Sequence, residues 1–451
     1  MRAAEELPNM FLRQLKKFLS VFLVSMTACS LFACGGPDHS SSSTQETITS
    51  EETQNVPSIP GEEAVPLSLV TDPYGGIFRS GTGTENGYYE TMSMQPEFIN
   101  ILYTDYKTRT RTYLCSDPEC LHNDDTCTSY FPAMGACYLF SDSTQNKVYL
   151  VAAGVATDGT DSDPAAVNGR IFVFEPNGAN RRVLYQLQSN EQFSGTAASD
   201  GSELYTGVQV LDQDTAKMTL EIREIDLETG ESKTIYATES SGERIFGAYE
   251  DCLVLETVDE TSRNYCSINV RSGQKSEVQY SYPYVDDVRT EFVDGKYVYS
   301  LRPEEDPYTS LYRIDLMSGE EEKIAEKIEI YDEDSTRISG VFDNHVEIET
   351  SDHRNVDAVK LIKYIVDLDS GECIPSSLQY DALGVTKNIA ILAESGDSFL
   401  TRNGVKKQTV TVTDNTGVPN TLEAAFPQYA LIAKNDYWKN VDQYQSVHDS
   451  F

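Results

Sequence analysis

A short strand that ends in a polar turn with glycine recurs along most of the chain, at intervals of 43 to 52 residues. An Asp precedes the glycine by three or four positions in four of the six copies. This pairing is typical of a tight hairpin, because the Asp side chain caps the turn and glycine accepts a positive φ. The glycines of the six copies are Gly178, Gly230, Gly273, Gly319, Gly371 and Gly417.

A second hairpin turn precedes each copy, so that one repeat holds four antiparallel strands in about 46 residues. Four strands at this period are typical of one blade of a β-propeller. The first unit lacks the glycine and has Ile99–Arg109 in its place, which brings the number of units to seven. The seven second turns begin at or near Asn86, Asn146, Asp200, Glu250, Asp294, Asp343 and Glu394.

The sequence therefore predicts an all-β, seven-bladed β-propeller over residues 66–451. An eighth blade is the alternative count, and two stacked β-sandwiches are the competing fold, which the even period disfavours. A last hairpin over Tyr429–Trp438 is expected to pair with the strand Pro66–Val70. That pairing would close the ring, either within blade seven or as an eighth blade.

The first 33 residues have the pattern of a secretory signal. Arg13, Lys16 and Lys17 precede an uncharged stretch, Phe18–Ala33, which is short for a transmembrane helix. The ending Leu-Phe-Ala-Cys34 resembles the lipobox of bacterial lipoproteins. That resemblance implies that Cys34 carries a diacylglycerol and that cleavage leaves it as the first residue.

Residues 34–65 are predicted to form a disordered linker. The stretch is rich in Ser, Thr and Glu and holds no aromatic residue, Lys or Arg, so it cannot bury enough apolar surface to fold. Together with a lipidated Cys34, this linker predicts a propeller tethered to the extracellular face of a bacterial cell membrane.

The formal charge of the chain is −37, from 72 acidic and 35 basic residues. Proteins that bind DNA or RNA need a basic surface, so this balance excludes a nucleic-acid partner. We expect a monomer whose only membrane contact is its lipid anchor. The ligand is expected to be a protein, a peptide or a glycan.

One segment between the first two blades concentrates groups that bind metals or form disulfides. Its members are Cys115, Cys120, His122, Cys127 and Cys137. Three thiolates and an imidazole are suitable ligands for Zn²⁺, although the spacing matches no standard zinc finger. Two disulfides are the competing interpretation, which the oxidising environment of an exported protein favours over a metal site, and reduced structural thiols are the third alternative. On either of the first two interpretations, the loop would shape a binding surface at the rim of the propeller.

Two other features suggest weaker sites. Cys252 and Cys266 flank the turn of one hairpin and are candidates for a cross-strand pair. The loop Asp158–Asp163 resembles part of a calcium loop but lacks the distal Glu, so calcium binding is not expected there.

Several of these features together resemble uncharacterised β-propeller lipoproteins of Gram-positive bacteria, which are distantly similar to TolB-like propellers. The features are the lipobox, the acidic linker, the stretch Cys115–Cys127 and the closing stretch Ala430–Trp438. The resemblance implies a fold and a location, and it implies no activity.

No sequence motif identifies catalytic residues. The chain has no G-x-S-x-G elbow, no H-E-x-x-H, no phosphate loop and no dinucleotide fingerprint. We therefore predict a non-enzymatic binding or scaffold module. The alternatives are a glycan-active enzyme that uses carboxylates near the propeller channel, and a metal- or redox-linked sensor centred on the cysteine segment.

Overall fold

Local turn chemistry makes each repeat a four-stranded antiparallel sheet. In the third blade, Asp226 Oδ1 accepts hydrogen bonds from the N–H groups of Glu228 and Thr229 at 2.9 and 2.7 Å, and Gly230 follows at φ +77°. The same positive φ recurs at the glycines of four further copies. The sixth copy, Val410–Gly417, instead lies in the hairpin between the second and third strands of the last blade, and Gly417 is outside the described residues.

The computed structural model forms seven such sheets from the residues it describes, and this confirms the seven-bladed β-propeller. The described residues are 65–71, 81–95, 98–132, 136–142, 145–154, 168–240, 242–283, 290–332, 335–355, 359–413 and 419–450. The predicted signal, residues 34–64 of the predicted linker, which include Cys34, and the loop Asp158–Asp163 lie outside them. Among the described residues, no helix has the length and apolar character needed to cross a membrane.

The first half of the chain forms β1 and the first three blades. The strands are β1 (Ser68–Leu69); β2 (Gly81–Gly83), β3 (Gly87–Gln95), β4 (Phe98–Asp105) and β5 (Thr110–Tyr113) of blade 1; β6 (Tyr130–Phe131); β7 (Cys137–Asp142), β8 (Lys147–Ala152), β9 (Arg170–Phe174) and β10 (Arg182–Gln186) of blade 2; and β11 (Glu191–Ser199), β12 (Glu203–Leu211), β13 (Met218–Asp226) and β14 (Ser232–Thr238) of blade 3.

The second half forms blades 4 to 7. The strands are β15 (Glu243–Tyr249), β16 (Cys252–Val258), β17 (Arg263–Asn269) and β18 (Tyr280–Tyr282) of blade 4; β19 (Thr290–Asp294), β20 (Tyr297–Pro303), β21 (Tyr308–Asp315) and β22 (Glu321–Glu329) of blade 5; β23 (Arg337–Phe342), β24 (His345–Asp352), β25 (Lys360–Asp367) and β26 (Cys373–Pro375) of blade 6; the hairpin β27 (Gln379–Asp381) and β28 (Thr386–Asn388); β29 (Ala390–Ser395), β30 (Ser398–Thr413), β31 (Pro419–Ala433), the helix α1 (Lys434–Trp438) and β32 (Tyr444–Ser446) of blade 7; and β33 (His448–Asp449).

The hydrophobic core lies between neighbouring blades. Each of the seven blade interfaces holds its own cluster of buried apolar side chains, including the interface between blade 7 and blade 1. At that interface Tyr88 and Tyr106 of blade 1 pack with Leu400, Tyr429 and Leu431 of blade 7. This arrangement closes the ring through side-chain packing between two complete blades.

The N-terminal segment does not close the ring, and that prediction was wrong. Residues 65–71, here called the N-terminal strap, lie against blade 3, where Ser68 of β1 pairs with Ser199 of β11. Leu67 is buried between blades 3 and 4, and its N–H donates to the carbonyl of Glu250 at 2.8 Å. The strap binds there because this interface has an apolar space that Leu67 fills.

The C-terminal end also differs from its prediction. Tyr429–Trp438 is not a hairpin, since Tyr429–Ala433 ends β31 and the next five residues form α1. No eighth blade forms within the described residues. The chain instead crosses to blade 1, where β33 pairs in parallel with the outer strand β5 and His448 lies opposite Thr110.

Candidate functional site

The segment that follows β5 folds back onto blade 1. The N–H of Leu114 donates to the carbonyl of Ile101, and the N–H of Ile101 donates to the carbonyl of Ser129, each at 2.9 Å. Both ends of the segment are thus fixed to the same point of β4. The cysteine segment lies between blades 1 and 2, as predicted, and these hydrogen bonds hold it against the outer strands of blade 1.

The outer hairpin of blade 2 covers the other side of the segment. Arg181 donates to the carbonyls of Asp125, Cys127 and Tyr130. Gly178 of that hairpin has φ +81°, and a Cβ added there would lie 2.8 Å from Cβ of Thr128. The repeat glycine therefore serves two purposes here, because it allows both the turn and the close approach of the segment.

Four side chains of the segment converge on one point. One ligand atom from each of Cys115, Cys120, His122 and Cys127 lies within 4.8 Å of all the others, so the cluster could bind a metal ion. His122 Nδ1 is 3.3 Å from Cys127 Sγ. Cys137 is not part of the cluster, because it lies on β7 in the hydrophobic core between blades 1 and 2.

Local contacts orient the imidazole of His122. The residue has φ +55°, which turns the chain back, and its ring stacks on Tyr113 with the ring centres 4.0 Å apart. Its carbonyl accepts a hydrogen bond from Asn100 Nδ2 at 2.9 Å. Burial lowers the pKa of His122, which favours the neutral imidazole, the form that binds metals.

The thiols of the cluster have unequal environments. Burial raises the pKa of Cys127 to about 12. Burial also opposes ionisation of Cys115, but hydrogen bonds from the Asp117 backbone and from the thiols of Cys127 and Cys120 outweigh it and lower the pKa of Cys115. Backbone N–H groups of His122 and Ser129 point at the sulfurs of Cys120 and Cys127 at 3.4 and 3.3 Å. Such contacts stabilise thiolates.

A cleft of about 930 Å³ lies between blades 1 and 2 and extends to Cys115. Half-buried rings of Tyr103 and Tyr113 line it, together with the exposed amides of Asn86 and Asn177. No local sequence pattern indicates this cleft, because its lining comes from strands and turns of two blades.

The central channel holds a second cavity of about 710 Å³. Its lining includes Tyr249, Phe292 and Phe342 from the first strands of blades 4, 5 and 6, and it also includes the carboxylates of Glu250 and Asp294. Carboxylates are therefore present near the channel, as the glycan-active alternative requires.

A serine, a histidine and an aspartate also meet beside blade 6, which the sequence did not indicate. Ser351 Oγ lies 2.7 Å and Asp332 Oδ2 lies 3.0 Å from the same ring nitrogen, Nε2 of His353. A catalytic triad has the acid on the other ring nitrogen and an accessible hydroxyl, whereas Ser351 is only 3% exposed. This contact does not match a serine-hydrolase triad.

The candidate pair of Cys252 and Cys266 does not form. In the register of blade 4, Cys252 lies opposite Asn269 and Cys266 lies opposite Leu255. Successive residues of a strand face opposite sides of the sheet, and Leu255 is three positions from Cys252, so the two thiols face different blade interfaces. The predicted pairing fails because the hairpin turn is not centred between the two cysteines.

Comparisons with known proteins identify no family for this chain. No protein-family model and no curated protein matches the chain. Among solved structures, an oligogalacturonate lyase in complex with manganese aligns with 82% of this chain and 92% of its own, at 14% identity and a TM-score of 0.47. TolB from Acinetobacter baumannii aligns with 79% of this chain and 77% of its own, at 11% identity and a TM-score of 0.33. A puromycin-hydrolysing peptidase from Mycobacterium tuberculosis aligns with 86% of this chain and 57% of its own, at 8% identity and a TM-score of 0.46. The structural similarity to TolB-like and other β-propellers is distant and concerns the fold alone.

Proposed function

We propose that this protein is a lipid-anchored, extracellular binding module whose β-propeller holds a glycan in the cleft between blades 1 and 2. The supporting observation is the lining of that cleft, in which the rings of Tyr103 and Tyr113 accompany the amides of Asn86 and Asn177. Tyrosine rings provide flat apolar faces for sugar C–H groups. Each amide both donates and accepts hydrogen bonds, as sugar hydroxyls require.

The size and charge of the site favour the same class of ligand. A volume of about 930 Å³ is at the upper end of the range for small-molecule sites, which is about 300–1,000 Å³ and suits a short oligosaccharide. The net charge of −37 disfavours polyanions, so a neutral glycan is the expected ligand. The lipobox at Cys34 and the linker 34–65 would hold this site close to the membrane while allowing it to move.

The proposed glycan binding is tested by titration calorimetry, in which a panel of neutral oligosaccharides is added to the purified full chain. We expect at least one to bind, and Asn86→Ala and Tyr103→Ala to weaken its binding by about tenfold, since each removes a contact worth about 1–2 kcal/mol. Tyr308→Ala removes a tyrosine of blade 5 that is 38% exposed, and it serves as the matched control. The proposal fails if no oligosaccharide binds, or if Tyr308→Ala weakens binding as much as Tyr103→Ala does.

The anchor is tested separately, by fractionating cells that express the wild-type chain or Cys34→Ala. We expect the wild-type chain in the membrane fraction with a lipid mass on Cys34, and the variant outside that fraction without it. Wild-type protein without a lipid would contradict the proposed lipid anchor, and it would not bear on the proposed glycan site.

A further inference from the structure

We propose that Cys115, Cys120, His122 and Cys127 bind one Zn²⁺ ion in a closed tetrahedral site. The site is structural, and it fixes the wall of the cleft between blades 1 and 2. This inference does not depend on which ligand the cleft binds, because metal content and ligand binding are measured separately.

The spacing of the four groups suits a tetrahedral ion. Zn–S bonds of about 2.3 Å and Zn–N bonds of about 2.0 Å place neighbouring ligand atoms about 3.5–3.8 Å apart. All four ligand atoms here lie within 4.8 Å of one another, and His122 Nδ1 is already 3.3 Å from Cys127 Sγ. The separations therefore exceed those of a tetrahedral site by about 1 Å at most.

The chemistry of the donors selects the metal. Three thiolates with one imidazole form a soft, four-coordinate set that suits Zn²⁺ and does not suit Ca²⁺, Mg²⁺ or Mn²⁺, which prefer oxygen. Neighbouring groups also make contacts that support these four ligands. His122 and Ser129 direct backbone N–H groups at two of the sulfurs, and Tyr113 holds the imidazole ring in place.

The arrangement of the cysteines argues against two disulfides. Two disulfides in this segment require all four of its cysteines, but only three belong to the cluster. The fourth, Cys137, packs on β7 beside the apolar side chains of blades 1 and 2. A histidine has no role in a disulfide framework, whereas here its ring nitrogen faces a sulfur.

The position of the ligands explains what the ion does. Cys115 lines the cleft, while Cys127 is buried and its carbonyl is held by Arg181 of blade 2. Among the described residues between β5 and β7, the only strand is the two-residue β6. An ion with four protein ligands leaves no open position for water, so it acts as a cross-link within this irregular segment.

The test measures metal content and thiols on the full chain, purified without chelator. We expect about one zinc per chain, and at least a tenfold loss of zinc in Cys120→Ser and His122→Ala. His122→Cys keeps a four-ligand soft set and should retain zinc. Two controls outside the cluster, Cys137→Ala and Cys373→Ser, should also retain it.

Two further measurements do not depend on the folding of any variant. Wild-type protein exchanged with Co²⁺ should show the visible absorption of a tetrahedral thiolate complex. Chelation of wild-type protein should expose residues 114–132 to protease while the blades stay intact. The proposal is overturned if mass mapping finds a disulfide among Cys115, Cys120 and Cys127, if added Zn²⁺ or Co²⁺ does not bind, or if Cys137→Ala loses as much zinc as Cys120→Ser.

Discussion

Buried glutamates at three blade interfaces are each accompanied by a tyrosine and a cation. Glu90 contacts Arg111 and Tyr429 between blades 1 and 7, and Glu347 contacts Lys363 and Tyr437 between blades 6 and 7. Between blades 4 and 5, Tyr265 donates to Glu291, and Arg263 lies close enough to act on its charge. Apolar blade faces can slide past each other, whereas these polar contacts are satisfied in only one arrangement.

Glu291 should make the stability of the protein depend on pH. Burial is the largest cause that raises the pKa of Glu291, from 4.5 to about 7. Between these values the unfolded chain releases a proton that the folded chain retains, so stability falls as the pH rises from about 4.5 to 7. The loss is on the order of 3 kcal/mol at most. Urea unfolding should show that Glu291→Gln flattens this dependence, and that the exposed Glu320→Gln does not. Parallel profiles for the wild type and Glu291→Gln would contradict the assignment.

Arg111 should be among the most sensitive positions for stability. Its side chain is 3% exposed and lies 2.7 Å from Glu90, 3.5 Å from Asp449 and 4.5 Å from the ring centre of Tyr429. Arg111→Met leaves Glu90 without its ion-pair partner, whereas Asp449 keeps Lys406 at 2.7 Å. Breaking a buried pair of this kind costs about 3–5 kcal/mol.

The free energy of unfolding in urea provides the check on Arg111. The double variant Arg111→Met/Glu90→Gln should recover part of the loss, because it removes the uncompensated charge of Glu90. Lys323→Met breaks a half-exposed pair with Glu304 and should cost less than about 1 kcal/mol. A loss no larger for Arg111→Met than for Lys323→Met would refute this role of Arg111.

At the scale of elements, the first and the last strand of the described residues pair with blades that are distant from them in sequence. The strap pairs with β11 through Ser68, and β33 pairs with β5 through His448. Lys406 of β30 also contacts Asp449 at 2.7 Å, so blade 7 holds the strand that reaches blade 1. The ring is therefore closed by one short parallel strand, a buried ion pair and an apolar interface.

Leu67→Ala should release the strap without unfolding the propeller. The side chain is 3% exposed, and Leu→Ala at buried sites costs about 2–5 kcal/mol. Because the strap contributes only the two-residue edge strand β1, this loss should appear as local opening. The amide of Val70, which donates to Ala197 at 2.9 Å, should exchange at least about thirtyfold faster, the factor that corresponds to about 2 kcal/mol.

The exposed Val65→Ala is the control for the strap. It should leave the exchange of the Val70 amide unchanged. If Leu67→Ala lowers the protection of all blades equally, then the strap is part of the cooperative core, and our interpretation of it as a separate element is wrong.

At the scale of the whole molecule, the main electrostatic feature is the net charge of −37. Like charges repel across a compact fold, and added salt screens them as the Debye length falls from about 30 Å at 0.01 M to about 8 Å at 0.15 M. We expect the melting temperature to rise over this range of NaCl. A fall in the melting temperature would mean that stabilisation by surface ion pairs is larger than destabilisation by charge repulsion. Sucrose of matched osmolality serves as the control for excluded-solute effects.

The repeat was predictable because hairpin turns are local. Asp226 and Gly230 lie in one turn, and their chemistry alone indicates that turn. Seven units at one period then predicted the blade number, and the residue types of the cysteine segment indicated a metal or disulfide site. Because the segment lies between two repeats in the sequence, its place between blades 1 and 2 was also predicted.

The remaining features depend on contacts between residues far apart in the chain, and only the folded structure decides these. The strap pairs with blade 3 because Leu67 fits an apolar space there, which no pattern near residue 67 describes. Strand register separates Cys252 from Cys266, and packing on β7 removes Cys137 from the cluster that His122 joins. Local sequence determines turns and strands because their energies are local, whereas ligand sets and ring closure depend on side chains that meet only after the blades have packed.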